Sequence, residues 1–141
     1  MEYKLEVTSS PTQEDIKKIS DSVRDHNLNF MPNDFCDLAV FERSSNGKVI
    51  AGLTATTYWE RLDIRYLWVS SDHRGNGLSK KLLLSAEREA ICRGCKFSQV
   101  DIFDFQALGL YLKLGYSIFG ELDGYENGHK RFYLHKKLAE T

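Results

Sequence analysis

A single mixed α/β (α+β) domain over residues 1–141 is the fold that this sequence predicts. Three observations predict it. The length suffices for one domain with its own hydrophobic core. Short runs of strand-forming residues alternate with helical repeats and with glycine-bearing turns. One such run, Leu62 to Val69, passes through the polar turn Ser70-Ser71-Asp72-His73 and then Arg74-Gly75-Asn76-Gly77 straight into a helical repeat. That strand–glycine turn–helix unit organises the rest of the chain.

Each element follows from local pattern. Tyr3 to Val7 alternates as a strand does, and Ser9-Ser10-Pro11 breaks it. Thr12 with Asp15 resembles a capping box, after which Ile16, Ile19 and Val23 make one helical stripe ending near Asn27. Leu28 to Asp34 is a loop or a short second helix. Asp37 to Glu42 and Lys48 to Tyr58 are strands joined at Ser44-Ser45-Asn46-Gly47, an Asn-Gly hairpin signal. Leu62 to Val69 is the next strand. Leu78, Leu82, Ala86 and Ala90 recur every fourth residue, so Leu78 to about Arg93 is a helix, closed by Gly94. Phe97 to Phe103 is a strand, and Gln106 to Leu114 a helix capped by Gly115. Tyr116 to Leu122 and Lys130 to Lys137 are the last two strands.

Composition removes several classes. A net charge of −1 argues against a nucleic-acid partner. No apolar run approaches the roughly 18 residues that a membrane span needs, and the N-terminus lacks a signal peptide's apolar stretch. Three cysteines, an odd number, argue against a disulfide framework and for the cytoplasm. Cys92-Arg93-Gly94-Cys95 is one CxxC with no second pair, so it cannot complete a tetrahedral metal site, and it ends a helix where a redox motif would start one. No metal is expected.

The organising turn reads as a pyrophosphate cradle. Gly75 and Gly77 let backbone amides face a ligand, the first turn of the helix offers unpaired N–H groups, and Arg74 adds a full positive charge. The residues do not meet the Walker pattern. Nor do they meet the dinucleotide pattern, because Lys80 stands where the third glycine should be. Arg74-Gly75-Asn76-Gly77-Leu78-Ser79 instead resembles the Arg/Gln-x-x-Gly-x-Gly/Ala acetyl-CoA loop of the GNAT N-acetyltransferase superfamily, with Ser79 at the last position. A second stretch, Asp104 to Tyr116, resembles the family's Asn-x-x-Ala-x-x-x-Tyr-x-x-Leu-Gly-Phe/Tyr, with Asp104 for the asparagine. The element order matches that family over essentially the whole chain.

The resemblance implies the GNAT fold: a central twisted mixed sheet of about seven strands flanked by about four helices. It implies an acetyl-CoA-dependent N-acetyltransferase acting by direct attack, with acetyl-CoA as co-substrate. It places the phosphates at Arg74, Gly75, Asn76, Gly77, Leu78 and Ser79, and the acetyl group and pantetheine arm beside Leu67, Trp68 and Val69. It makes Tyr111 the proton donor to the leaving thiolate; on spacing alone, Tyr111 completes the apolar face of its helix. For the base, Asp63 falls by alternation on the same strand face as Arg65, Leu67 and Val69; Glu60 is the second candidate, and water without a single base is the third. The cluster His129-Lys130-Arg131 reads as a solvated strand start.

The resemblance also puts the acceptor cleft near His26 to Phe35 and Leu122 to Phe132, where carboxylates among the aromatics suit a cationic amine, and the stretch from Gly120 to Arg131 resembles the end of small bacterial GNAT proteins, which points to a small-molecule amine. Two other readings stay open, a non-catalytic acyl-CoA-binding regulatory module and a protein or peptide N-acetyltransferase. Many members pair through sheet edges, so a homodimer is open to the chain.

Overall fold

Residues 2–138 are described in the computed structural model. They fall into two units, the first ending at Asn33 and the second beginning at Asp34. In the first, helix α1 (Gln13–Asn27) starts where the capping pattern puts it: Thr12 Oγ1 accepts the Asp15 N–H at 3.1 Å. Glu14 and Asp15 in the first turn and Arg24 and His26 in the last complement the helix dipole. The chain leaves through a turn in which the amides of Phe30 and Met31 both donate to the Asn27 carbonyl at 2.9 Å, so 28–33 holds no second helix. The strand expected over Tyr3–Val7 does not form. Alternation says which face of a strand would be buried; it does not supply a partner for the strand's amides.

The second unit holds the sheet. Its elements are β1 (Cys36–Arg43), β2 (Val49–Tyr58), β3 (Arg61–Val69), α2 (Leu78–Cys92), β4 (Phe97–Phe103), α3 (Leu108–Lys113), β5 (Ser117–Leu122) and β6 (Arg131–Lys137). The spatial order is β1-β2-β3-β4-β6-β5. The described sheet therefore has six strands rather than about seven, and the described helices are three with two short 3-10 turns rather than about four. The β1–β2 hairpin turns where Asn46-Gly47 predicts, with Gly47 at φ +85° and the Ser44 amide donating to the Lys48 carbonyl. No described helix is long and apolar enough to cross a membrane.

The core lies between α2 and the sheet. Leu82, Leu83, Ala86 and Ala90 turn one face of α2 onto β1, β2 and β3, where Leu38, Ala51, Leu53, Leu62 and Ile64 meet them, all fully buried or nearly so. Each leucine buried in this way contributes roughly 1.5–3 kcal/mol. Gly94, at φ +87°, closes the helix and turns the chain into β4.

One irregularity positions the site. β3 and β4 run parallel but pair only at Arg61–Phe97, Leu62–Ser98 and Asp63–Gln99. Beyond those residues β3 keeps its antiparallel partner β2 as far as Val69, and β4 keeps β6 as far as Phe103. Each strand thus stays paired on its outer edge while the inner edges part. The parting coincides with a β-bulge. Ile64 pairs with Ala55 and Tyr66 with Thr54, which leaves Arg65 as an extra residue in β3.

Candidate active site

The gap between the parted strands is a cleft of about 820 Å³. β3 forms one wall from Asp63 to Val69, and β4 forms the other from Val100 to Phe103. Arg74 and Ser79 stand at one end, Tyr111 faces in from α3, and Arg131 from β6. Of the residues that the sequence singled out, Asp63, Leu67, Trp68, Val69, Arg74, Ser79 and Tyr111 share this one cleft. Gly75, Asn76, Gly77 and Leu78 form the turn beside it rather than its walls.

That turn leaves its backbone open. Gly75 (φ +84°) and Gly77 (φ +73°) occupy left-handed backbone that side chains resist, and a Cβ on either would meet no atom within 4 Å. The space above them is open. Gly77 is the N-cap of α2 and supplies no side-chain acceptor, so the amides of the first turn keep their donor capacity. Arg74 Nε donates to the Val69 carbonyl at 3.2 Å, and its other N–H groups make no hydrogen bond among the described residues. The Ser70 hydroxyl and His73 Nδ1 lie 2.6 Å apart, and Asn76 Nδ2 donates to the His73 carbonyl at 3.3 Å, so the polar residues of the turn brace it.

The bulge changes which residues share a face. Before Arg65 the buried residues are Leu62 and Ile64; after it they are Val69 and, in part, Leu67, while Tyr66 and Trp68 are exposed. Asp63 therefore shares a face with Tyr66 and Trp68. The alternation that put it beside Leu67 and Val69 fails because the extra residue reverses the count. Asp63 still lines the cleft, and its Oδ2 accepts the Tyr58 hydroxyl at 3.0 Å rather than pairing with Arg61 or Arg65. Burial, followed by that hydrogen bond and the carboxylate's charge, pushes the Tyr58 phenol up from its ordinary value, so it stays a donor. Glu60 lies outside the cleft walls, in the β2–β3 turn at φ +67°, with Lys96 Nζ 3.5 Å from its carboxylate.

Tyr111 is 2% exposed, and burial pushes its phenol up to about 12. It is protonated throughout the neutral range. Among the described residues its hydroxyl makes no hydrogen bond within the protein. Its ring sits edge-on to Tyr116, centroids 5.3 Å apart and planes at 83°. Helix α3 is shorter than its pattern, six residues instead of nine, because Gln106 Oε1 caps the Phe103 amide at 2.8 Å and holds 104–107 as a turn.

Asp104 is turned towards the protein. Its Oδ2 accepts the Lys130 amide at 2.9 Å, and its Oδ1 lies 2.7 Å from His129 Nδ1. The Lys130 amide and then His129 hold its carboxyl below the usual carboxylate range. His129 thus has a partner that its sequence context did not announce. Arg131 also departs from the expected solvated strand start: its Nε donates to Asp101 Oδ2 at 2.9 Å, its Nη2 reaches the same oxygen, and its guanidinium lies over the Phe103 and Tyr133 rings. Asp101, Phe103 and Phe105 are cleft residues that sequence reasoning missed, and Arg131 belongs to the 122–132 stretch expected to line the acceptor cleft. Cys95 is buried, Cys92 exposed, and both are free thiols.

Comparison with known proteins converges on one family. The Acetyltransferase (GNAT) family model matches residues 5–116. The chain is 35% identical over 101 residues to the blasticidin-S acetyltransferase of Streptomyces morookaense, covering 71% of this chain and 74% of that protein. It is 33% identical over 123 residues to the acetyltransferase Atu2258 of Agrobacterium fabrum, covering 86% and 90%. A crystal structure of an acetyltransferase from Bacillus cereus ATCC 14579 superposes with a TM-score of 0.84 at 27% identity, covering 94% of this chain and 98% of that one.

Proposed function

This chain belongs to the GNAT acetyltransferase family, and we propose that it transfers the acetyl group of acetyl-CoA to the amine of a small molecule by direct attack, without an acyl-enzyme. The observation that carries the reading is the continuity of the cleft, which runs from the Arg74 end, beside the open glycine turn, past the unpaired inner edge of β3 to the buried phenol of Tyr111. A relative that acts on blasticidin S supports a small-molecule acceptor. Free thiols and an acetyl-CoA requirement support a cytoplasmic setting.

The residues present fit the co-substrate. When bound, acetyl-CoA supplies an activated thioester. The first-turn amides of α2, with Arg74 and the Ser79 hydroxyl, hold phosphate oxygens by charge-assisted hydrogen bonds. The inner edge of β3 at Leu67, Trp68 and Val69 offers main-chain groups that β4 does not use, and an extended amide-bearing arm adds there as a strand would. A β3 amide serves as oxyanion donor. Tyr111 donates a proton to the departing sulfur. Asp63 Oδ1 is left for the amine proton, directly or through water, while Oδ2 is held by Tyr58.

Calorimetry with acetyl-CoA on the wild type and on Gly77→Glu tests the cradle. Glutamate forces a side chain into left-handed backbone and sets a carboxylate among the phosphate donors; affinity should fall at least about a hundredfold. An amine panel beginning with blasticidin S, read by release of free CoA, tests the transfer. Binding with no turnover of any amine would replace the enzyme by an acyl-CoA-binding module. Turnover confined to peptide amines would replace the small-molecule acceptor. Unchanged binding in Gly77→Glu would remove the cradle.

A further inference from the structure

A buried polar cluster lies directly behind Tyr111, and the chemistry above does not use it. The Tyr116 hydroxyl donates to Glu87 Oε2 at 2.7 Å and lies 2.6 Å from Ser98 Oγ. Glu87 Oε1 accepts from Lys136 Nζ at 2.8 Å. Tyr116, Glu87 and Ser98 are 3%, 5% and 0% exposed. A carboxylate in such a place is costly, and an apolar replacement of similar volume is often neutral or stabilising. Its presence needs an account beyond packing.

The location supplies one. Glu87 comes from α2, the helix that begins at the glycine cradle. Ser98 comes from β4, within its short paired stretch with β3 and just before the cleft opens. Lys136 comes from β6, and Tyr116 opens the segment after α3. The cluster therefore joins the elements that carry the cradle, the β4 wall and Tyr111. Tyr116 touches Tyr111 twice. Its ring meets the Tyr111 ring edge-on, and its amide donates to the Tyr111 carbonyl at 3.0 Å. Tyr111 makes no side-chain hydrogen bond of its own among the described residues. The direction of its hydroxyl is set by the surface it packs on, and that surface is a ring locked at its far end by two hydrogen bonds.

We propose that Tyr116, held by Glu87 and Ser98, is the positioning residue that aims the Tyr111 hydroxyl into the cleft. The proposal rests on Tyr111 being the proton donor, and the experiment separates the two. Turnover and KM for acetyl-CoA are measured for the wild type, Tyr111→Phe, Tyr116→Phe and the double variant. The acceptor is blasticidin S or, where that is not acetylated, water, whose slow attack on the thioester releases the same thiol. Tyr116→Phe should lower kcat about tenfold, as a small misplacement of a catalytic group does, with KM for acetyl-CoA unchanged. Added to Tyr111→Phe, the same substitution should cost nothing further, because the hydroxyl it aims is gone.

A double variant whose loss is the product of the two single losses overturns the proposal, as does a Tyr116→Phe enzyme with wild-type kcat. Tyr111→Phe at wild-type kcat instead removes the proton-donor reading itself. Should Tyr116→Phe fail to fold, Ser98→Ala keeps the Tyr116–Glu87 bond and removes one restraint. It should lower kcat about fivefold and only when Tyr111 is present; wild-type kcat in Ser98→Ala then overturns the proposal.

Discussion

Two strand-to-helix junctions flank the cleft, and they use their backbone in opposite ways. Neither helix has a side-chain N-cap, but between β3 and α2, Gly75 and Gly77 adopt left-handed conformations with open space around them. Between β4 and α3, the protein answers its own donors: Gln106 takes the Phe103 amide, and Asp104 takes the Lys130 amide and lies against His129. The first junction leaves its amides facing solvent, where a ligand can replace water as their partner. The second spends its polar groups on closing a turn, which fixes where the short α3 begins and so where Tyr111 stands. On the proposed function, one junction binds and the other places.

That contrast is broken most severely by Tyr111→Phe. The closed junction exists, on this view, to deliver one hydroxyl, and losing it should lower kcat about a hundredfold while acetyl-CoA binding, measured by calorimetry, stays as it was. A parallel loss of binding would mean that the phenol holds co-substrate rather than serving chemistry. The open junction is sharpened by Arg74→Ala. Removing one charged donor should weaken acetyl-CoA about tenfold, and raising salt should weaken the wild type more than the variant, because the variant has less charge to screen. Equal salt dependence in the two would show that Arg74 serves only to brace the turn through the Val69 carbonyl.

How much of this could be read from the chain depends on whether a feature is local. The glycine turn is local: two glycines, an arginine and the start of a helical repeat lie within six residues, and the backbone needs glycine there. The Asn46-Gly47 hairpin and the apolar stripe of α2 are local too. The bulge is not. Nothing in Ile64-Arg65-Tyr66 marks an extra residue, yet it reverses the faces of β3 and moves Asp63 away from Leu67 and Val69. Arg131 reads as a solvated charge because its partner, Asp101, is brought alongside only when β6 inserts between β4 and β5. Glu87 reads as one more charge on a helix; its hydrogen-bond partners are Tyr116 and Lys136, 29 and 49 residues away. Tyr3–Val7 fails in the other direction, an alternating run for which no strand partner forms.

The smallest expected effect tests whether the closed junction is structural alone. The Asp104 carboxyl is held below its ordinary value by the Lys130 amide first and His129 next. A lowered value in the folded state means that the carboxylate contributes stability above the unfolded value of about 3.9. That contribution is lost as pH falls through the lower folded value. Asp104→Asn keeps the shape and the amide acceptor but not the charge. Followed by circular dichroism, it should melt below the wild type at pH 7, by no more than a few degrees for so exposed a group. The gap should close on acidification, once the wild-type carboxyl is also neutral. A gap that does not change with pH would show that shape, not charge, holds the turn. Acetyl-CoA affinity should be the same in both proteins, because Asp104 faces Lys130 and His129 and not the cradle. A change in affinity would mean that the closed junction also binds, and the division of labour between the two junctions would not stand.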